Sequence, residues 1–170
     1  PPGAPRPGFG GRPGGFGGRG GNPPDAVYQW KVLCLDRNSG KTLWEQQVKE
    51  AKPKIPTHST NTFASETPVT DGERLYCYFG MTGLYCLDLS GKELWNKDLG
   101  SYPMSNGWGT GSSPVLVDDN LLILCDNEQQ SFLAALDKKT GSELWRVSRD
   151  ERSNWGTPFV WKNKTQTELV

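Results

Sequence analysis

Apolar and polar residues alternate along this chain in short runs of four to eight, each run closed by Asp, Asn or Gly, and that period of two predicts β-strands. Strands are expected over residues 66–70, 73–80, 83–89 and 92–98, and again over 113–117, 120–125, 131–137 and 142–148. Residues 26–36 and 42–48 read as one further hairpin. The chain is therefore predicted to be all-β and antiparallel.

The hairpins repeat. Ala135-Leu136-Asp137-Lys138-Lys139-Thr140-Gly141-Ser142-Glu143-Leu144-Trp145 has near copies in Cys34-Leu35-Asp36 through Gly40 to Trp44 and in Cys86-Leu87-Asp88 through Gly91 to Trp95. The three aspartates lie 52 and then 49 residues apart, a period that belongs to propellers or solenoids. In each copy Asp is expected to bond its own turn and Gly to supply the positive φ of the reversal. Prolines 68, 114 and 158, 46 and then 44 residues apart, open a second hairpin in the same frame. Four short antiparallel strands in about 45–50 residues make one propeller blade. A Trp buries ~150–250 Å², an upper bound of roughly 4–6 kcal/mol at ~25 cal/mol/Å². A lone hairpin offers nothing to bury it against, so Trp44, Trp95 and Trp145 are expected to join neighbouring units.

A Cys-or-Ala, Leu-Asp, Gly, Leu-Trp hairpin following a Thr-Pro-Val-x-Asp-Gly hairpin resembles the pyrroloquinoline-quinone (PQQ) type β-propeller repeat, across about residues 27–170. The resemblance implies a fragment of a β-propeller of four-stranded antiparallel blades, in the non-dehydrogenase branch that includes the outer-membrane assembly lipoprotein. It further implies a periplasmic or secreted binding scaffold, without catalysis or cofactor, for a protein or a small polar ligand. The alternative it implies is part of an alcohol or sugar dehydrogenase using PQQ and calcium. Such enzymes need an Asp base, a Ca²⁺ site and, in many members, adjacent cysteines. No adjacent cysteines occur here, and Asp36, Asp88 and Asp137 read as turn caps. Nucleophile-elbow, P-loop and His-Glu-x-x-His motifs are absent, so no catalytic, cofactor or metal residue is assigned.

Organisation follows from the repeat. Residues 1–24 are expected to be a disordered Gly/Pro/Arg-rich tether, since residues 1–22 hold ten Gly, five Pro and only Phe9 and Phe16 as large apolar groups. Residues 25–48 then form the outer hairpin of a partial blade, 49–100 and 101–149 two blades, and 150–170 the start of a truncated one, with the remaining blades expected elsewhere in the parent protein. Balanced charge, 19 basic against 19 acidic residues, gives no field favouring nucleic acid, and a single Arg-Gly-Gly unit at 19–21 adds little. No apolar run is long enough for a spanning helix. The four cysteines show no metal spacing. If Phe79 pairs with Leu84, Cys77 lies opposite Cys86, which would allow a cross-strand disulfide.

Three connections stand out: 49–65, with the chain's one histidine, and 101–112 and 149–156, with Trp-Gly-Thr at 108–110 and 155–157. In four-stranded blades these share a face with the middle turns 80–83 and 126–130, while the Asp-to-Gly turns occupy the other. His58, Asn61, Glu66, Trp108, Asn127, Glu128, Asn154 and Trp155 are thus expected near one face. Such a group suits a sugar, a peptide or another polar ligand. The competing reading has Trp108 and Trp155 plugging contacts between units.

Overall fold

A computed structural model describes residues 21–170. The tether expected over 1–24 falls largely on residues 1–20, outside the described residues. Twelve strands follow in chain order. They are β1 (Tyr28–Leu35), β2 (Thr42–Ala51), β3 (Val69–Thr70), β4 (Arg74–Tyr78), β5 (Leu84–Asp88) and β6 (Glu93–Lys97). After these come β7 (Val115–Val117), β8 (Asn120–Cys125), β9 (Ser131–Asp137), β10 (Glu143–Arg149), β11 (Val160–Lys162) and β12 (Thr167–Leu169). They pair into two four-stranded sheets, β3-β4-β5-β6 and β7-β8-β9-β10, flanked by the hairpins β1-β2 and β11-β12. Every pairing is antiparallel. The first strand of each full sheet is shorter than expected, because Pro68 and Pro114 have no N–H for a ladder.

The three repeated turns close as their residues dictate. Asp36 Oδ1 accepts from Ser39 N at 2.7 Å, Asp88 Oδ1 from Ser90 N at 2.8 Å, and Asp137 Oδ1 from Thr140 N at 2.8 Å. Hydrogen bonds, led by the Ser39 and Ser90 hydroxyls at the first two turns and by Thr140 N–H at the third, hold all three carboxyls below their ordinary pKa. Gly40, Gly91 and Gly141 take φ of +69°, +89° and +72°, a region a Cβ disfavours. Beyond each turn the register slips by one residue, beside Leu43, Leu94 and Leu144. A bulge of this kind twists the outer strand locally.

Two apolar layers lie between the units. Trp30 and Val32 of β1 pack with Cys77, Phe79, Tyr85 and Leu87 of the next sheet. The opposite face of that sheet, with Tyr76, Tyr78, Leu84 and Cys86, packs on Leu121, Ile123, Phe132 and Ala134. The rim of both layers is closed by indole over glycine. Trp44 covers Gly91 and donates Nε1–H to Leu89 O at 3.0 Å, and Trp95 covers Gly141. Trp145 is 43 % exposed, and among the described residues it makes no glycine-to-indole contact of this kind. At the inner edge, Thr67 N–H donates to Ser113 Oγ at 2.9 Å and Ser113 N–H to Thr157 Oγ1 at 3.0 Å. The residue before each proline is thereby tied to its counterpart one unit on.

The cross-strand disulfide is not formed, and its expected register is wrong by one residue. Phe79 N–H bonds Gly83 O, which sets Tyr78 opposite Leu84, Cys77 opposite Tyr85 and Tyr76 opposite Cys86. Because side chains alternate, that single step sends the two thiols to opposite faces. Cys77 enters one layer and Cys86 the other. All four cysteines are free thiols, and burial raises the pKa of Cys77 to about 12 and that of Cys86 to about 11.

Candidate functional site

The connections between units bring three of the expected residues into one aromatic strip. His58 N–H donates to Trp108 O at 3.3 Å, and Thr57 Oγ1 donates to the same carbonyl at 3.2 Å. This bond pair ties the first connection to the second. The His58 ring then meets Trp108 edge-on, with centroids 5.9 Å apart at 89°. Trp108 in turn lies 5.6 Å from Trp155 at 38°. Trp155 Nε1–H donates to Gly109 O at 2.7 Å, and its ring approaches Gly111 so closely that a Cβ there would stand 3.2 Å away. All three rings are half-buried. Each therefore packs one connection on the next while keeping part of its surface open to a ligand.

His58 Nδ1 accepts from Thr60 N at 3.2 Å, so in the neutral ring the proton sits on Nε2. Asn61 is exposed and completes the same loop, donating N–H to His58 O at 2.9 Å and accepting on Oδ1 from Thr62 N and Ser65 Oγ. Both residues rim a groove of about 580 Å³ floored by Tyr28, Trp30 and Phe63. That floor is fixed by Trp30 Nε1 donating to Phe63 O at 2.9 Å and by an edge contact of 5.2 Å between Tyr28 and Phe63.

The other expected residues serve the scaffold beneath. Asn127, 1 % exposed, spends both ends of its amide on its own turn, donating to Cys125 O and Gln130 O and accepting from Gln129 N and Gln130 N. Glu128 accepts from Ser153 N and Oγ, and its own N–H donates to Pro103 O. It thus ties the middle turn to both neighbouring connections. Asn154 is exposed and accepts from Gly156 N at 2.9 Å. Glu66 is only 7 % exposed. Burial pushes its carboxyl pKa up, against a hydrogen bond from the Thr110 hydroxyl. Its Oε1 and the Ser112 Oγ one unit on have no hydrogen-bond partner.

Two contributors were not foreseen. Asp126, 1 % exposed, takes a forked pair of bonds from Arg149 at 2.8 and 3.3 Å, and Thr110 caps Glu66. Both partnerships span more than 20 residues, and no local motif announces either.

The arrangement offers ring faces for stacking beside hydroxyl and amide groups for hydrogen bonding. Among the described residues no three His, Cys, Asp or Glu side chains converge, and Asp36, Asp88 and Asp137 are each committed to a separate turn.

Comparison with solved structures gives likenesses of fold. BamB from Moraxella catarrhalis is 18 % identical over 77 % of this chain and 34 % of its own, with a TM-score of 0.48. Quinohemoprotein alcohol dehydrogenase from Comamonas testosteroni is 15 % identical over 69 % of this chain and 18 % of its own, TM-score 0.49. A europium-containing methanol dehydrogenase is 15 % identical over 72 % and 22 %, TM-score 0.46. The chain thus spans about a third of the BamB structure and less of the other two. No curated protein matches its sequence. The family model for outer membrane protein assembly factor BamB matches residues 30–160, well over half of the chain, and the chain belongs to that family.

Proposed function

We propose that this chain is part of a non-catalytic propeller scaffold whose loop-rich face holds a protein partner or a small polar ligand outside the cytoplasm. The observation that carries the reading is the strip His58, Trp108, Trp155, in which three successive connections each present a half-buried ring to one surface. Rigid aromatic faces beside hydrogen-bonding groups are the composition of protein-binding surfaces and of sites for polar ligands. The extracytoplasmic setting rests on the family, and no helix among the described residues is long and apolar enough to cross a membrane. In this reading residues 49–100 and 101–149 are whole blades, 25–48 an outer hairpin and 150–170 the opening of another blade.

The test is a fluorescence titration with synthetic extended peptides of alternating aromatic and polar residues, and in parallel with short oligosaccharides. Saturable quenching by one class is expected, with at least a tenfold loss of affinity in Trp108→Ala at an unchanged circular-dichroism spectrum. The reading fails if neither class quenches. It is replaced by the dehydrogenase alternative if added PQQ and Ca²⁺ support dye reduction with alcohols or sugars.

A further inference from the structure

Nine asparagines occur in the chain, and only Asn163 begins an Asn-x-Ser or Asn-x-Thr triplet, Asn163-Lys164-Thr165. On an exposed loop outside the cytoplasm that triplet is read by oligosaccharyltransferases as a glycan acceptor. Here it forms the turn between β11 and β12, where Lys164, Thr165 and Gln166 are exposed.

The turn holds the triplet compact. Asn163 Oδ1 accepts from Thr165 Oγ1 at 2.7 Å and from the N–H groups of Thr165 and Gln166, both at 2.9 Å. Such an Asx turn brings together the amide and the hydroxyl that define the triplet. Asn163 Nδ2 donates to Glu168 Oε2 at 2.6 Å. A carboxylate in that place raises electron density on the nitrogen that must act as nucleophile.

The exposure belongs to the position in the sheet. In the two four-stranded sheets the turns at the same place also lie open, at Gly72 and Glu73 and at Asp118 and Asp119, with a packed sheet beside them. These turns gather on one face. Lys138 Nζ donates to Asp118 O at 3.1 Å and pairs with Asp71 at 3.5 Å, and Lys162 Nζ pairs with Asp118 at 3.2 Å. Strand β9, seven residues long, spans roughly 20 Å at ~3.3 Å per residue. It separates this face from the middle turn at 126–130, which Glu128 ties to the connections that carry the aromatic strip.

We propose that Asn163 is an acceptor site for an N-linked glycan, which rests on the extracytoplasmic setting proposed above. A bond forms between Asn163 Nδ2 and the anomeric carbon of a lipid-diphosphate-linked oligosaccharide. The bond from that carbon to the diphosphate oxygen breaks, its electron pair goes to the diphosphate, and one Nδ2 proton leaves with it. The glycan covers the face of the Asp-to-Gly turns and leaves the aromatic strip as the face open to a partner.

The test incubates the purified, folded 170-residue chain with a single-subunit oligosaccharyltransferase and a lipid-linked oligosaccharide, and reads the intact mass. A gain of one glycan is expected, mapped to Asn163 and removed by peptide N-glycosidase. Asn163→Gln and Thr165→Val should each abolish the gain, whereas Thr165→Ser should keep it. All three variants should keep the circular-dichroism spectrum of the parent, because the turn is exposed. A folded chain left unmodified by enzyme that modifies an unrelated acceptor peptide overturns the proposal, and so does a glycan that survives Asn163→Gln. Neither result touches the strip on the other face, so failure here and failure of the ligand titration are separate outcomes.

Discussion

The junction around Trp44 and the junction around Trp95 begin with the same parts and finish differently. Both lay an indole on a turn glycine at 2.7 Å, and only the second also ties its inner edge, Thr67 N–H donating to Ser113 Oγ at 2.9 Å. At the rim, the turn from Asp88 to Gly91 is one residue shorter than that from Asp137 to Gly141. The short turn sets Leu89 O under Trp44 Nε1 at 3.0 Å. In the long turn Lys138 N–H bonds Asp119 O in the neighbouring hairpin, and Trp95 Nε1 is buried with no acceptor. Ring-on-glycine packing survives the change of turn and the hydrogen bond does not. Packing is the shared determinant of the joint, and the bond is an addition that one turn length permits.

Substituting the glycine should hurt both junctions alike, and this is the largest effect expected. A Cβ on Gly91 or Gly141 meets the indole at 2.7 Å and must also adopt a positive φ. Overpacking typically costs about 1–3 kcal/mol and the left-handed backbone about 1–2 kcal/mol. Gly91→Ala and Gly141→Ala are each expected to lose about 2–5 kcal/mol in urea unfolding. Gly72, with φ of +91° and open space around it, isolates the backbone share, and Gly72→Ala should lose only about 1–2 kcal/mol. Equal losses at all three sites would mean that the rings do not lock the joints.

The indole nitrogen should separate the two. Trp44→Phe gives up a bond worth about 1 kcal/mol as well as ring area. Trp95→Phe gives up area but also removes a buried unpaired N–H, a group that costs about 1–3 kcal/mol. Thermal unfolding should therefore place Trp44→Phe below Trp95→Phe by roughly 2–4 °C or more, the equivalent of about 1 kcal/mol in a chain of this size. The reverse order would give Trp95 Nε1 a partner that the geometry does not show.

The repeat made the strands and turns readable, since Asp, Gly, Leu and Trp recur at nearly fixed offsets and each acts within its own hairpin. Relations between hairpins were harder. The register of β4 on β5 depends on which residues close the turn at 79–83, and Gly80 and Gly83 allow more than one choice. The aromatic strip was legible only as a shared face, because Trp108 stands six residues before its proline and Trp155 three. That mismatch hid their direct contact. Asn127 and Glu66 were expected near the same face as groups for a polar ligand. Asn127 is instead consumed by the turn it builds, and Glu66 stands where the next repeat carries Ser112, a place that is buried in both.

Glu66 marks the last and smallest difference, because of the three equivalent inner places, Glu66, Ser112 and Gly156, only the first carries an ionisable group. Burial raises its pKa in the fold, so the folded state favours the protonated acid. The stability this group contributes is fully present below the ordinary carboxyl range and is lost as pH rises through the raised value. Gln has nearly the same shape, carries no charge and can still accept from the Thr110 hydroxyl. Glu66→Gln is accordingly expected to unfold at a higher temperature than the parent chain at pH 8, by roughly 2–4 °C for about 1 kcal/mol, with the gain fading toward pH 4. A variant less stable than the parent at pH 8 would show that the carboxylate is held as a charge, by a partner that neither Thr110 nor Ser112 accounts for.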